Sequence, residues 1–277
     1  MPRKAASRPV WKLRLSDNSD DSWRQYGKND PYFGVFSADR FRGKNLDEAT
    51  LKEFFDSGET QIEGVLQAAR LHANCGMATD DALDFGCGVG RLVLPLAKRF
   101  GGATGVDISS DYLAEAKRNC DRRGIGNVAF AENLSSLLAA GRSFDFIHSS
   151  LVFNHIPWTR GQKIIAEMFE LLRPGGVIAI EVLHNQEMGQ LHRRARTARK
   201  SFLPLHWLIN VYHGRHVFEP LMQANEYPLD ELVPLLHRMG ADGVYIQPQP
   251  KENREHWAFM FCMKDVVREG AAYERRN

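Results

Sequence analysis

Apolar residues in the middle of the chain form two alternating patterns, short continuous runs and stripes at helical spacing. The runs with the length and composition of buried strands are ALDFG (82–86), ATGVDI (103–108), NVAFAE (127–132), FDFIHS (144–149) and GVIAIEVL (176–183). The stripes between the early runs are Val89, Val93, Leu96 and Phe100, then Tyr112, Leu113, Ala116 and Cys120. Strands that alternate with helices predict a doubly wound α/β fold around a parallel sheet.

The segments on either side of this core have different patterns. Between residues 46 and 77 the apolar spacing is helical and Gly58 interrupts it, which predicts two helices. After residue 185 a long irregular stretch leads to a helix at 229–240. The runs GVYIQP and HWAFMFCMK then predict two neighbouring strands joined by a polar loop, so one edge of the sheet is antiparallel.

These patterns divide the chain into five predicted parts. They are an N-terminal extension at 1–45, an α/β core at 46–184, an insertion at 185–227, a helix and strands that complete the core at 228–265, and a tail at 266–277. Within the extension, the segment from Trp23 to Phe41 is dense in aromatic residues. Its Tyr26, Tyr32 and Phe33 either form a lid over a bound ligand or pack as an ordinary extension.

The composition of the 277 residues is that of a globular protein, with 43% hydrophobic and 25% charged residues. The net charge of +2 is too balanced to predict a nucleic-acid partner. Four scattered cysteines without a CxxC pair favour neither disulfides nor a zinc site, and no metal is expected. No signal peptide and no apolar run of about 18 residues is evident, so the cytoplasm is the expected location.

The candidate chemistry begins where the first predicted strand meets the first helix. Asp84-Phe85-Gly86-Cys87-Gly88-Val89-Gly90 places three glycines at alternate positions, where the backbone can turn sharply and approach a ligand closely. A dinucleotide loop would have its third glycine where this chain has Arg91, so a nicotinamide-dependent oxidoreductase is disfavoured. Asp107 ends the next strand, where its carboxylate can accept both hydroxyls of an unphosphorylated ribose.

Four segments together resemble the successive motifs of class I S-adenosylmethionine-dependent methyltransferases, in that family's order. They are ALDFGCGVGRL, GVDIS, FDFIHSSLVFNHIP and LLRPGGVIAIEV. The resemblance implies that S-adenosylmethionine is the cofactor of the core at 46–184. It also implies a seven-stranded mixed sheet with helices on both faces and the last strand antiparallel.

The resemblance also implies roles for individual residues. Around the methionine part it places Asp84, Gly86, Gly88, Gly90 and the adjoining Arg91. It assigns Asp107 to the ribose, Ile108 to the side of the adenine, and Ser149 and Ser150 to the methionine carboxylate and the transferring methyl. Many relatives have an aspartate after the third strand that contacts the adenine amino group. Here that region contains Glu132 and Asn133, and either residue can serve.

The residues after the fourth strand limit which classes of methyl acceptor are possible. Ser149-Ser150-Leu151-Val152 lacks the Asp/Asn-Pro-Pro-Tyr of amino-methylating enzymes, and Pro-Cys, paired-glutamate and metal-binding carboxylate patterns are also missing. A small-molecule, sugar or lipid-linked acceptor remains, with O-methylation favoured and nitrogen acceptors left open. His155 is the candidate base, because a near-neutral imidazole suits proton removal from a hydroxyl, and His184 is a second candidate. Both histidines have the alternative role of fixing loop structure through hydrogen bonds.

The insertion at 185–227 is the predicted acceptor region, because it leaves the carboxyl end of the fifth strand. Five cations at 193–200 precede the apolar, Trp-bearing run at 202–209. Residues 193–209 therefore either contact a membrane surface or form a solvated basic face followed by a core helix. A different functional class is also open: a methyltransferase fold that holds the cofactor without turnover, as a sensor or assembly partner. The sequence specifies neither the acceptor nor the oligomeric state.

Overall fold

The computed structural model describes residues 19–72, 77–187, 203–212, 214, 216–250 and 254–265. Three sequence predictions fall partly or wholly outside these described residues. They concern the start of the extension at 1–18, the basic cluster at 193–200 and the tail at 266–277. The division of the chain into five parts stays a prediction.

Seven strands form one sheet whose order is β3-β2-β1-β4-β5-β7-β6. The strands are β1 (Asp81–Phe85), β2 (Gly102–Val106), β3 (Val128–Ala131), β4 (Phe144–Ser149), β5 (Leu172–Gln186), β6 (Ala241–Pro248) and β7 (Glu255–Lys264). Strands β1 to β5 are parallel, and β7 lies antiparallel between β5 and β6. The predicted doubly wound, mixed seven-stranded sheet is therefore confirmed. Strand order reverses between β1 and β4, which opens a ligand crevice at the carboxyl ends of those strands.

Nine α-helices belong to the part of the chain that the structure describes. They are α1 (Ser19–Asn29), α2 (Pro31–Val35), α3 (Glu48–His72), α4 (Val93–Ala97), α5 (Ser110–Arg122), α6 (Leu134–Ala139), α7 (Trp158–Leu171), α8 (Leu203–Tyr212) and α9 (Leu229–Arg238). Short 3-10 turns cover Asp39–Phe41, Gly43–Asn45 and Phe153–His155. Apolar side chains of α3 and α4 pack on one face of the sheet, and those of α6, α7 and α9 pack on the other. Burial on both faces explains why β1, β4 and β5 are continuous apolar runs.

The prediction of two helices between residues 46 and 77 is wrong. Helix α3 runs unbroken for 25 residues, with Gly58 in its interior. A Cβ atom on Gly58 would lie 2.2 Å from the backbone oxygen of Arg91. The glycine therefore permits a close approach of two backbones and does not end the helix.

The aromatic N-terminal segment is helical, which its sequence did not indicate. Tyr26 on α1 and Tyr32 on α2 are buried in an aromatic cluster with Phe54 of α3 and Tyr112 of α5. Among them, the rings of Tyr32 and Phe54 meet edge to face at 5.3 Å. The segment thus packs on the core beside the crevice.

The description of 185–227 as irregular also needs correction, because α8 lies within it. Its buried residues include the polar His206 and Asn210, whereas Leu208 is exposed. Burial of polar rather than apolar positions gives no ordinary amphipathic signal.

Candidate active site

A cavity of about 530 Å³ opens at the carboxyl ends of β1, β2, β3 and β4. We call inner the part of it that is lined by the glycine loop after β1 and by residues that follow β2 and β3. We call outer the part that is lined by α1, by the loop after β4 and by the first turns of α7. The volume is typical of small-molecule and cofactor sites, and the position is the one expected for an open α/β sheet.

The glycine loop is tied to the neighbouring strand and wound in a left-handed conformation. The backbone N–H groups of Gly86 and Cys87 donate to the Val106 carbonyl oxygen at 2.7 and 3.0 Å. Gly86 and Gly88 have φ values of 78° and 51°. A Cβ atom would lie 2.2 Å from the Val152 side chain at Gly86 and 2.3 Å from the Val35 side chain at Gly88. Only glycine fits either position without strain.

Asp107 connects this loop to the start of α5. Its Oδ2 accepts the N–H of Gly88 at 3.0 Å, and its Oδ1 accepts the N–H of Ser109 at 3.0 Å. Burial raises the pKa of Asp107 to about 6, against the lowering effect of these hydrogen bonds. The carboxylate is fixed in place and lines the cavity, with lone pairs left for a further donor.

Beneath the loop, a buried hydrogen bond between two side chains joins β1 to β4. His148 Nδ1 lies 2.9 Å from Asp84 Oδ1, and both side chains are almost fully buried. Asp84 Oδ2 and His148 Nε2 have no hydrogen-bond partner within the described structure. Asp84 therefore joins the two strands under the cavity and keeps one buried oxygen without a partner among the described residues.

A second buried network crosses from α3 to β5. Arg91 donates to Gln61 Oε1 at 2.8 Å and to Ser57 Oγ at 3.3 Å. Gln61 in turn donates to Ser150 Oγ at 2.8 Å, and Ser150 donates to Glu181 Oε2 at 2.5 Å. Burial lowers the pKa of Arg91 to about 10, so the guanidinium stays charged at neutral pH. Its Nε has no hydrogen-bond partner within the described structure.

Glu181 also holds the loop after β4 in an unusual conformation. The N–H of Leu151 donates to the Glu181 carboxylate, and Leu151 has a φ of 58°, rare for a residue with a side chain. Burial raises the pKa of Glu181, while the Ser150 hydrogen bond and the charges of His148 and Arg91 oppose that rise. A strained residue held by a buried carboxylate beside the cavity is typical of a functional loop.

His155 lies at the outer part of the cavity, in the 3-10 turn after β4. Its Nδ1 lies 2.7 Å from the carbonyl oxygen of Gln223, which makes Nδ1 the protonated nitrogen. Its Nε2 then accepts the amide of Asn154 at 3.1 Å. Burial lowers the pKa of His155 to about 4, so the ring is neutral at physiological pH. The ring of Trp23 packs against it, with centroids 4.5 Å apart.

Helices α1 and α7 meet across the mouth of the cavity. Arg160 NH1 of α7 forms an ion pair with Asp20 Oδ1 of α1 at 2.5 Å. Lys163 and Ile164 of α7 line the same rim. The mouth therefore combines charged groups with the apolar surfaces of Trp23 and Ile164.

The structure brings most of the predicted site residues to one cavity. The predicted residues that line it are Gly86, Gly88, Arg91, Asp107, Ile108, Glu132, Asn133, Ser150 and His155. Those that do not line it are Asp84, Gly90, Ser149 and His184. Ser149 Oγ donates instead to the carbonyl oxygen of Phe85 at 2.9 Å, under the loop. His184 lies beside His256, with ring centroids 5.9 Å apart.

Sequence reasoning missed three groups of site residues. Asp20 was missed, and Trp23 was placed in the aromatic segment at 23–41 without a role at the site. Glu181 has a signal in hindsight, since it is a lone carboxylate within the apolar run GVIAIEVL. Gln61 gave no signal, because an amide on a helix is usually solvated.

Comparison with known proteins connects this geometry to a family. The profile of a family described as methyltransferase domain matches residues 82–176, the stretch that includes the glycine loop, Asp107 and the loop after β4. A ubiquinone biosynthesis O-methyltransferase from Methylococcus capsulatus is 30% identical over 41% of this chain and 48% of its own length. A trans-aconitate 2-methyltransferase from Deinococcus radiodurans is 34% identical over 38% of each chain. The chain spans about half the length, or less, of the curated relatives it matches.

The fold is also that of solved methyltransferases. The crystal structure of magnesium protoporphyrin IX methyltransferase from Synechocystis with bound S-adenosylhomocysteine superposes with a TM-score of 0.56 and 17% identity, over 89% of this chain and 100% of that one. Because the sequence identity is only 17%, this superposition shows a shared fold and nothing further. Together with the family match, it assigns residues 82–176 to the class I S-adenosylmethionine-dependent methyltransferases, a family whose cofactor is S-adenosylmethionine.

Proposed function

We propose that this protein transfers a methyl group from S-adenosylmethionine to an oxygen of a small-molecule, sugar or lipid-linked acceptor. The observation that carries the proposal is that one cavity is lined both by the glycine loop, at its inner part, and by Trp23 and His155, at its outer part. Such a cavity can hold the cofactor and an acceptor side by side, as an in-line displacement requires.

The residues of the inner part fit the cofactor. Asp107 is a fixed carboxylate with capacity for ribose hydroxyls, and Gly86 and Gly88 leave the loop backbone free of side chains beside the ligand. Arg91 is a buried cation suited to the methionine carboxylate, and its Nε is a donor without a partner in the described structure. When bound, the cofactor supplies an activated methyl on a sulfonium leaving group.

For the adenine amino group we assign Glu132 rather than Asn133. The side-chain oxygen of Asn133 accepts the N–H of Ser136 at 2.9 Å and caps α6. Glu132 lines the same part of the cavity and carries a carboxylate that can accept from an amino group.

We keep His155 as the candidate proton acceptor in preference to His184, because His155 lines the cavity and His184 does not. A neutral ring with a pKa of about 4 is a weak base, so it can assist only an acidic hydroxyl, such as a phenol or an enol. To accept that proton, Nε2 must exchange its hydrogen bond from Asn154 for one from the acceptor.

The acceptor class rests on elimination and on the apolar side chains at the cavity mouth. Relatives named for ubiquinone biosynthesis and for trans-aconitate fit an oxygen acceptor, but they differ too much to identify one. Location in the cytoplasm and contact of residues 193–209 with a membrane stay proposals. Among the described residues, no helix is both long and apolar enough to cross a bilayer.

Calorimetric titration with S-adenosylhomocysteine tests the cofactor site, with NAD as the competing ligand. We expect micromolar binding of S-adenosylhomocysteine and none of NAD, and Asp107→Asn should weaken the former at least about tenfold. The variant Asp111→Asn is a matched control, because Asp111 lies in the first turn of α5 and does not line the cavity.

Turnover is tested by release of S-adenosylhomocysteine in the presence of phenolic, carboxylic and sugar acceptors. A rise above the rate without acceptor supports an enzyme. Tight cofactor binding with no turnover on any acceptor class would favour the alternative of a sensor or assembly module. Binding of NAD in place of S-adenosylhomocysteine would refute the proposal itself.

A further inference from the structure

Helix α8 (Leu203–Tyr212) buries two polar side chains and exposes several large apolar ones. His206 and Asn210, one turn apart, are only 2% and 1% exposed. His206 Nε2 and Asn210 Nδ2 both donate to the carbonyl oxygen of Glu219, at 2.9 and 3.0 Å. The large side chains on the outer side are Leu208, Val211 and Tyr212, which are 66%, 58% and 84% exposed.

Two aromatic rings extend this outer side. Trp207 and Phe218 meet edge to face with centroids 5.5 Å apart, and both are exposed, at 36% and 56%. We call these five residues, Trp207, Leu208, Val211, Tyr212 and Phe218, the α8 face. A contiguous exposed apolar patch of this kind is rare on a protein surface that meets only water, and it marks an interaction site.

The part of the sequence around α8 contains basic residues but no acidic ones. Between Glu187 and Glu219 there is no acidic residue. The cations in that interval are Arg193, Arg194, Arg196, Arg199, Lys200 and Arg215. The full chain has a net charge of only +2, so positive charge is concentrated in the part of the sequence that contains the α8 face.

We propose that the α8 face docks on the surface of an anionic phospholipid bilayer. Trp and Tyr beside aliphatic side chains suit the headgroup boundary, and each cation close to the face in the sequence adds attraction to anionic lipid. A second copy of this chain fits less well, because both copies would carry the same excess of positive charge in the sequence on either side of the face. A neighbouring segment of the same chain between 188 and 202 offers no acidic group to balance the charge.

The α8 face is directly connected to the rim of the cavity. The Phe218 carbonyl oxygen accepts from Gln25 at 3.2 Å, and the Pro220 carbonyl oxygen accepts from Tyr26 at 3.0 Å, both on α1. Five residues after Phe218, the Gln223 carbonyl oxygen accepts from His155. A docked protein would therefore hold one wall of the cavity close to the lipid surface. Docking itself does not depend on methyl transfer.

Sedimentation of the full chain with vesicles tests the proposal. The vesicles contain three parts phosphatidylcholine and one part phosphatidylglycerol, with pure phosphatidylcholine for comparison. We expect binding to the anionic vesicles at about 0.05 M NaCl and a loss of more than about fivefold at about 0.5 M NaCl. Replacing both Leu208 and Tyr212 by Ser should weaken binding about tenfold, because two large side chains no longer bury apolar surface at the headgroup boundary.

Leu71→Ser is the matched control, because Leu71 is 73% exposed at the end of α3 and lies outside the α8 face. The control should bind like the unaltered protein, and an unchanged melting temperature shows that each variant is folded. Failure of the unaltered protein to bind anionic vesicles would overturn the proposal. So would equal weakening in Leu71→Ser, or a dimer in light scattering that the Leu208/Tyr212 double variant converts to monomer.

Discussion

At the inner part of the cavity, glycine is required by lack of space for a Cβ atom as well as by a left-handed backbone conformation. Gly86 and Gly124 both have left-handed backbones, with φ of 78° and 65°. A Cβ atom at Gly86 would collide with Val152, whereas one at Gly124 would have nothing within 4 Å. Alanine substitutions at these two positions therefore separate the free-energy cost of a left-handed alanine from the additional cost of a steric collision.

We expect Gly86→Ala to lower the free energy of unfolding by about 3 kcal/mol and to abolish binding of S-adenosylhomocysteine. Gly124→Ala should cost only about 1 kcal/mol and leave binding unchanged. Urea denaturation and calorimetry provide the two measurements. Equal costs for the two variants would show that the loop can move away from Val152.

The carboxylate of Asp107 predicts a pH dependence of cofactor binding. Burial raises its pKa to about 6, so it is ionised at pH 7.5 and mostly protonated at pH 5. A protonated carboxyl group loses capacity to accept from ribose hydroxyls. Affinity for S-adenosylhomocysteine should be constant above pH 7 and fall about threefold to tenfold by pH 5. Calorimetry across this range should give a flat profile for Asp107→Asn, and a flat profile for the unaltered protein would contradict the prediction.

Helix α3 provides a corresponding test on a single element. Gly58 and Gly64 are both interior glycines of this helix, but only Gly58 has a neighbour, the backbone oxygen of Arg91, where a Cβ would go. Gly64→Ala should therefore stabilise the protein by about 0.5–1 kcal/mol through helix propensity. Gly58→Ala should destabilise it by about 1–3 kcal/mol, because the contacting backbone cannot move aside cheaply. Thermal denaturation distinguishes the signs, and stabilisation by both substitutions would mean that α3 can shift away from Arg91.

The same glycine shows why some elements were predicted and others were not. The strands of the core were found because they are buried on both faces and form continuous apolar runs. From the sequence Gly58 predicts a helix break, because a sequence carries no information about a backbone oxygen that is distant along the chain. The interior of α8 was missed because its burial depends on hydrogen bonds from His206 and Asn210 to a carbonyl group later in the chain.

The site residues that the sequence predicts differ from those that it misses in a similar way. Asp107 and the glycine loop were found because their chemistry requires a fixed sequence spacing. Glu181, Gln61 and Trp23 reach the site through tertiary contacts between α1, α3, β4 and β5, which no local pattern encodes.

Across the folded protein, two groups at opposite ends of the cavity respond to acid with opposite sign. Burial lowers the pKa of His155 to about 4, so the folded state binds fewer protons than the unfolded state, and stability falls as the pH drops below about 6.5. Asp107 has a raised pKa, so the folded state binds more protons, and stability rises as the pH drops through about 6. The two effects partly cancel between pH 7 and pH 5, and the His155 effect is the larger.

Single substitutions should separate the two effects. Relative to the unaltered protein, His155→Gln should gain about 2 kcal/mol of stability on going from pH 7 to pH 5. Asp107→Asn should lose about 1 kcal/mol over the same range. Urea denaturation at the two pH values measures both differences. Parallel pH profiles for all three proteins would show that neither pKa is shifted by folding.

The position of β7 affects how the protein is made. It pairs with both β5 and β6, although it follows both in the chain. During synthesis on the ribosome, the strands up to β5 emerge well before β7, and until then one flank of β5 presents unpaired amide and carbonyl groups beside apolar side chains. The nascent chain should therefore be most prone to associate with other chains after β5 has emerged and before β7 pairs with it, which is when a chaperone would be of most use.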